Sequence, residues 1–349
     1  MKQRGVFLIG LFLITCYFFI FPRQSGRELV ISPIGLVSLE SGGDSTVMDT
    51  SSLLALKSND LAGFFDRERR LVSLYSSERM AVDDRWIAVS EPDSVRILDP
   101  DGRLRSRIAV RAYPISRNGH LYLYNGSAGR LKRVDPSNGR VMWTKEYLAS
   151  VTVLDGRQNR TLVGLLDGRI EVISEDGDVE LEYRPGGSRV EAVYGGALSE
   201  SGSSVALITG LDPQRFILME ERKNGFRPIS HHDTQTDFRR SVPVQFVRGG
   251  RQVLYEASAS IASFDVESGL ISSINFPGTP VAWEDSSSTG ALIVAGRQEG
   301  SVGLRMLSRY DRVLYEAALP SSTTDLRLDD DEILIVGDRY VGILEMTVQ

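Results

Sequence analysis

Cysteine is almost absent from this 349-residue chain, and its single copy, Cys16, lies in an apolar stretch near the N-terminus. The remainder therefore has no disulfide, no thiolate metal site and no cysteine nucleophile. Histidine is nearly as scarce, with His120, His231 and His232 making up the whole set. Ser-His-Asp catalysis would have to draw on one of them, and no Gly-x-Ser-x-Gly elbow accompanies them. A basic surplus is missing as well. The formal net charge is −6, and it becomes about −8 once Lys2 and Arg4, ahead of the apolar stretch, are set aside. Such a chain lacks the positive face that phosphates require, so no nucleic-acid partner is expected, nor adhesion to anionic lipid. Beyond residue 22 no stretch keeps up a helical period.

What is present begins with the N-terminus. Gly5–Pro22 carries no charge, a length at the short end of what spans a bilayer as a helix. With Lys2 and Arg4 before it, the segment reads as a signal-anchor: one transmembrane helix over 1–22, its N-terminus cytoplasmic. A cleaved signal peptide is the rival, although no small-x-small site follows the apolar run. Leu13-Ile14-Thr15-Cys16 loosely resembles a lipoprotein box, which would put a lipid on Cys16. All three readings place the rest of the chain outside the cytoplasm, in a periplasmic or other extracytoplasmic space.

Glycine is plentiful at 33 residues, and it recurs between short apolar runs. Six stretches share one pattern of strand, acid- or glycine-rich turn, and second strand. They start at Ser94, Arg130, Arg169, Arg215, Ser260 and Val302. Gly102, Gly139, Gly177, Gly225 and Gly269 take the same place in five turns, where a left-handed backbone is wanted, and Asp311 takes it in the sixth. The spacing is roughly 40 residues, the length of a propeller blade. Two further strand-like runs lie between successive hairpins, which makes four strands per unit.

The fold expected is all-β: an eight-bladed β-propeller of four-stranded antiparallel blades, over 28–349, joined by the linker 23–27 to the N-terminal helix. Seven blades is the alternative, because Gly35–Tyr75 is the least regular unit. The last blade runs out of chain, and the N-terminal run Glu28–Pro33 is expected to supply its outer strand. Such closure leaves no ring end with a bare row of backbone donors and acceptors.

The hairpin Val134-Asp135-Pro136-Ser137-Asn138-Gly139-Arg140-Val141-Met142-Trp143 resembles the blade motif of the pyrroloquinoline-quinone-type propellers. Phe264–Gly269 repeats its first half without the tryptophan. The resemblance implies that Trp143 docks between blades. The quinone enzymes of that superfamily pair their cofactor with a calcium-ligand cluster and often a vicinal disulfide. The disulfide is impossible here and the cluster is not found, so no cofactor is expected. The plan is closer to a non-enzymatic relative, the propeller lipoprotein of the outer-membrane barrel-assembly machinery.

Chemistry-bearing residues are few. The polar inter-blade stretch Ser230–Ser241 (SHHDTQTDFRRS) is the longest of its kind, and it is the candidate partner-binding loop. Its residues of interest are His231, His232, Asp233, Asp237, Phe238, Arg239 and Arg240. Phe238 between basic neighbours has the make-up of an interface anchor. On a strand the two histidines point to opposite faces, which makes a poor chelate, so no metal is expected. Asp329-Asp330-Asp331-Glu332 lacks the alternation of a calcium loop and reads as a solvated turn. His120 reads as a strand-edge residue, and Trp86, Trp143 and Trp283 as packing. The function expected is a non-catalytic, membrane-anchored scaffold with protein partners in a bacterial envelope; the alternative is a propeller enzyme or small-ligand receptor that uses the central channel.

Overall fold

The computed structural model describes residues 29–39 and 53–348, except 259, 277, 287–289, 309–310 and 330. The apolar segment 1–22 and the linker 23–27 lie outside the described residues. Among those described, no helix is long and apolar enough to cross a membrane.

The strands form eight separate antiparallel sheets, each built from neighbours in sequence except where the ring closes. Eight blades rather than seven is therefore the count. All six hairpins anticipated from the repeats are third and outer strands of a blade. Arg130–Val134 with Val141–Glu146 and Ser260–Asp265 with Ile271–Asn275 are examples. Gly102, Gly139, Gly177, Gly225 and Gly269 all have φ between 71° and 93°, and Asp311 has φ 58°. Arg69 holds the equivalent place in blade one at φ 60°.

The first strand runs over Leu29–Ser38 and pairs antiparallel with Tyr340–Val348, so the N-terminal run is the outer strand of blade eight. This closing strand is longer than the expected Glu28–Pro33. Gly35–Ser38 belongs to blade eight, not to blade one. The register shifts between Pro33 and Gly35, and that bulge lets the strand continue past a residue with no N–H. Proline is tolerated there because an outer strand has a neighbour on one side only. Blade one shows three strands among the described residues, Leu54–Ser58, Leu61–Phe65 and Leu71–Ser76. Their connecting turns match the last three strands of the other blades.

Burial explains why the strands are apolar on both faces. Buried apolar side chains among the described residues form eight clusters, and each spans one interface between successive blades. In the second strand of blade three (His120–Asn125), Leu121 and Leu123 face blade two while Tyr122 faces blade four. Alternate residues thus serve opposite interfaces, and the run stays hydrophobic throughout. Trp86, Trp143 and Trp283 are all buried in such interfaces. Trp143 docks against the blade-four turn: a Cβ on Gly177 would lie 2.7 Å from its own Cβ. That is the packing the blade motif implies.

Candidate functional site

The inner strands are less apolar than the two middle strands of each blade, because one edge of each looks into the channel. They are Met80–Asp83, Tyr113–Arg117, Val151–Arg157, Val190–Leu198, Val244–Val247, Thr279–Asp285 and Thr323–Asp329 for blades two to eight. Every blade runs in the same sense, so inner strands all end at one face, here called lower. The Asp/Gly hairpin turns and the start of the closing strand at Leu29 lie at that face too. Links between blades lie at the upper face.

At the lower end the inner strands carry charge. Arg117, Asp155, Arg157, Glu284 and Asp285 line one cavity of about 630 Å³ at the channel mouth, beside Gln245. The Asp155 carboxylate accepts from the Leu198 and Gly156 N–H groups, both at 2.9 Å, and from Asn118 Nδ2 at 3.0 Å. Burial still holds its pKa above the ordinary range. Glu284 is pushed up to about 7, first by burial and then by the neighbouring Asp325 carboxylate. Asp325 is raised as well, chiefly by burial.

On the far side of the channel Arg327 pairs with Asp84, Nη2 to Oδ2 at 2.7 Å. The same two side chains take the Ala55 C=O and N–H of blade one. Close by, Arg69 binds Asp329 at 2.6 Å and also Glu332. Two acids of the expected solvated turn are thus inter-blade ligands for arginine.

The stretch Ser230–Ser241 lies at the upper face, between blades five and six. Ser230–Asp233 is the end of an outer strand, Gly225–Asp233, rather than loop. His232 is half-buried, hydrogen-bonded through Nε2 to Tyr255 OH at 2.8 Å and stacked on Phe216. Its pKa is lowered, first by burial and then by His231. Buried Gln214 holds the segment down, accepting from Thr236 Oγ1 at 2.7 Å and donating to Phe238 O at 2.9 Å. Phe238 packs into the interface of blades five and six. Arg240 lies over its ring and pairs with Glu256 at 2.6 Å. His231, Asp233, Asp237 and Arg239 face solvent. The two histidines therefore point apart.

On the same upper face, exposed apolar side chains run across blades three to five: Tyr113, Leu148, Leu166 and Val190. Leu148 is fully exposed, and the Leu166 N–H donates to Ser150 O at 2.9 Å, which ties their two loops together. Neither this set nor the channel charges emerged from the repeat pattern. A signal for the latter exists: acid and arginine recur at the ends of first strands, as in Asp155-Gly156-Arg157 and Asp325–Asp329. No group of three or more histidine, cysteine, aspartate or glutamate side chains suited to a metal occurs among the described residues.

Comparison with known proteins gives a consistent picture. A family model described as a β-propeller protein matches residues 1–347. An uncharacterized protein of Treponema pallidum (strain Nichols) is 24% identical over 208 residues, 59% of this chain and 55% of its own length. The chain thus matches about half the length of that relative. Among solved structures, BamB from Moraxella catarrhalis superposes with a TM-score of 0.63 at 12% identity, covering 90% of this chain and 100% of its own. The computationally designed Ika8 protein gives 0.65 at 15% identity, over 88% and 98%. A chain of the Mitotic Checkpoint Complex gives 0.57 at 13%, over 93% and 94%. Likeness at such low identity speaks to the fold alone.

Proposed function

This chain belongs to a family of β-propeller proteins, and we propose that it is a non-catalytic interaction module, held outside the cytoplasm of a bacterium by residues 1–22. The observation that carries the reading is the exposed apolar set Tyr113, Leu148, Leu166 and Val190 on the upper face. Scattered exposed apolar residues need no explanation, but four on adjoining blades at one face are what a binding surface presents. The solvent-facing His231, Asp233, Asp237 and Arg239 continue that face onto blades five and six, as a polar rim. The occupant is a protein with an apolar loop or strand.

Topology supports the orientation. The closing strand begins at the lower face, so a tether through Arg23–Arg27 leaves the upper face turned away from the bilayer. BamB, which shares the fold, belongs to the propellers whose plan the blade motif suggested. A photo-cross-linking residue at Leu148 should capture one discrete partner in envelope membranes. The same residue at Leu270, exposed in the lower-face turn of blade six, should not. Leu166→Glu should abolish capture without lowering the melting temperature. Equal capture at both positions, or capture indifferent to Leu166→Glu, would reject this surface.

A further inference from the structure

At the lower mouth of the channel, most charged groups are already committed. Asp155 is satisfied by two backbone N–H groups and Asn118. Asp285 accepts from the Arg248 N–H. Arg117 donates to Leu154 O and Ser116 O, and Arg327 is bound to Asp84. Two half-buried groups of opposite sign are left over, and both line the same cavity, with the exposed Glu200 at its rim. Arg157, last residue of the blade-four inner strand, has a buried Nε with no acceptor. Glu284, on the blade-seven inner strand, receives no hydrogen bond, and Arg157 acts on it only through space.

A buried guanidinium N–H without an acceptor costs free energy that a ligand oxygen would restore. An uncompensated carboxyl in the same cavity asks for a donor of positive charge. A simple anion placed here would meet Glu284 and Asp285. A simple cation would meet Arg117 and Arg157. Only a molecule with both charges satisfies the two sides together. A volume of about 630 Å³ is in the range of small-molecule sites.

We propose that this mouth binds a small zwitterion, its carboxylate on Arg157 and its ammonium group on Glu284. Free amino acids and whole short peptides both carry that pair of charges. The site goes beyond the upper-face reading and does not depend on it.

The test is calorimetric titration of the full chain in detergent at pH 8 with glycine and triglycine, with acetate and methylammonium as single-charge controls. At least one zwitterion should bind tenfold or more tightly than either control, and Arg157→Gln and Glu284→Gln should each weaken it at least tenfold. Tighter glycine identifies a free amino acid, and tighter triglycine a short peptide. Either result supports the site. Acetate binding as tightly as the zwitterions, no binding by either zwitterion, or binding unchanged in both variants overturns it. A second measurement needs no variant. At pH 6 the Glu284 carboxyl, with its pKa raised to about 7, must give up a proton to pair with ammonium. For glycine, whose ammonium group stays charged at both values, binding heats in buffers of different ionisation enthalpy should therefore show proton release at pH 6 and almost none at pH 8, and the absence of release at pH 6 also overturns the assignment.

Discussion

At the scale of single residues, Glu284 links the channel to stability. Its pKa is raised from 4.5 to about 7, so the folded chain keeps a proton where the unfolded chain has lost it. Raising pH through that window therefore removes stability. His120 is displaced the other way, to about 4, first by burial and then by the Arg133 cation. There the unfolded chain binds the extra proton, so stability falls as pH drops from 6.5 to about 4. The two effects oppose each other between pH 4.5 and 6.5, and the parent protein's own profile hides both. Comparison with Glu284→Gln isolates one, since His120 is common to both chains. The variant should gain on the parent as pH rises from 4.5 to 7, by roughly 1–3 kcal/mol after allowing for solvent screening. Urea denaturation at pH 4.5, 5.5 and 7 measures it. A constant difference across that range would mean that Glu284 titrates in the folded chain as it does in the unfolded one.

At the scale of elements, legibility followed local backbone chemistry. The third and outer strands could be read because the turn between them needs a left-handed residue, and glycine advertises that need at Gly102, Gly139, Gly177, Gly225 and Gly269. Arg69 takes the same conformation without glycine and is held by Asp329 and Glu332 of blade eight, so blade one looked irregular. The inner strands were harder, since the wet channel admits charges that dilute the apolar run. In Ser230–Ser241 local polarity suggested a loop, but the long-range contacts of Gln214, Tyr255 and Glu256 secure half of it inside the fold. The closing strand was legible from arithmetic on strands, whereas its length was not, because a bulge carries it past Pro33. It also makes a prediction. Ile31 packs on the interface of blades seven and eight, opposite Met346. A chain beginning at residue 28 should keep the melting temperature of the folded ring. One beginning at residue 39 loses the strand, bares the edge of Tyr340–Val348, and should melt lower and self-associate. Equal melting and a monomeric profile for both chains in size-exclusion chromatography would show that the ring does not need this closure.

At the scale of the whole molecule, the ring is joined twice. The closing strand pairs with Tyr340–Val348 at the outer edge, and inside, Arg327 of blade eight reaches Ala55 of blade one and Asp84 beyond blade two's inner strand. A ring fixed at both radii moves as one body, so the position of Leu29 at the lower face sets how a short tether would orient it. The lower face carries acidic turns, among them Asp99, Asp101, Asp135 and Asp265, while the proposed partner surface lies opposite. The near absence of cysteine makes this arrangement measurable, because Cys16 is the only native thiol and lies in the apolar segment. Leu148→Cys marks the upper face and Lys223→Cys a lower turn, both at exposed positions. In spheroplasts a membrane-impermeant maleimide should label both, the upper position several-fold faster, and detergent should erase the difference. Labelling that waits for permeabilisation would place the ring in the cytoplasm. Equal rates before and after detergent would mean that the lower face is not held towards the bilayer, and the tether would then be longer than Arg23–Arg27 or absent.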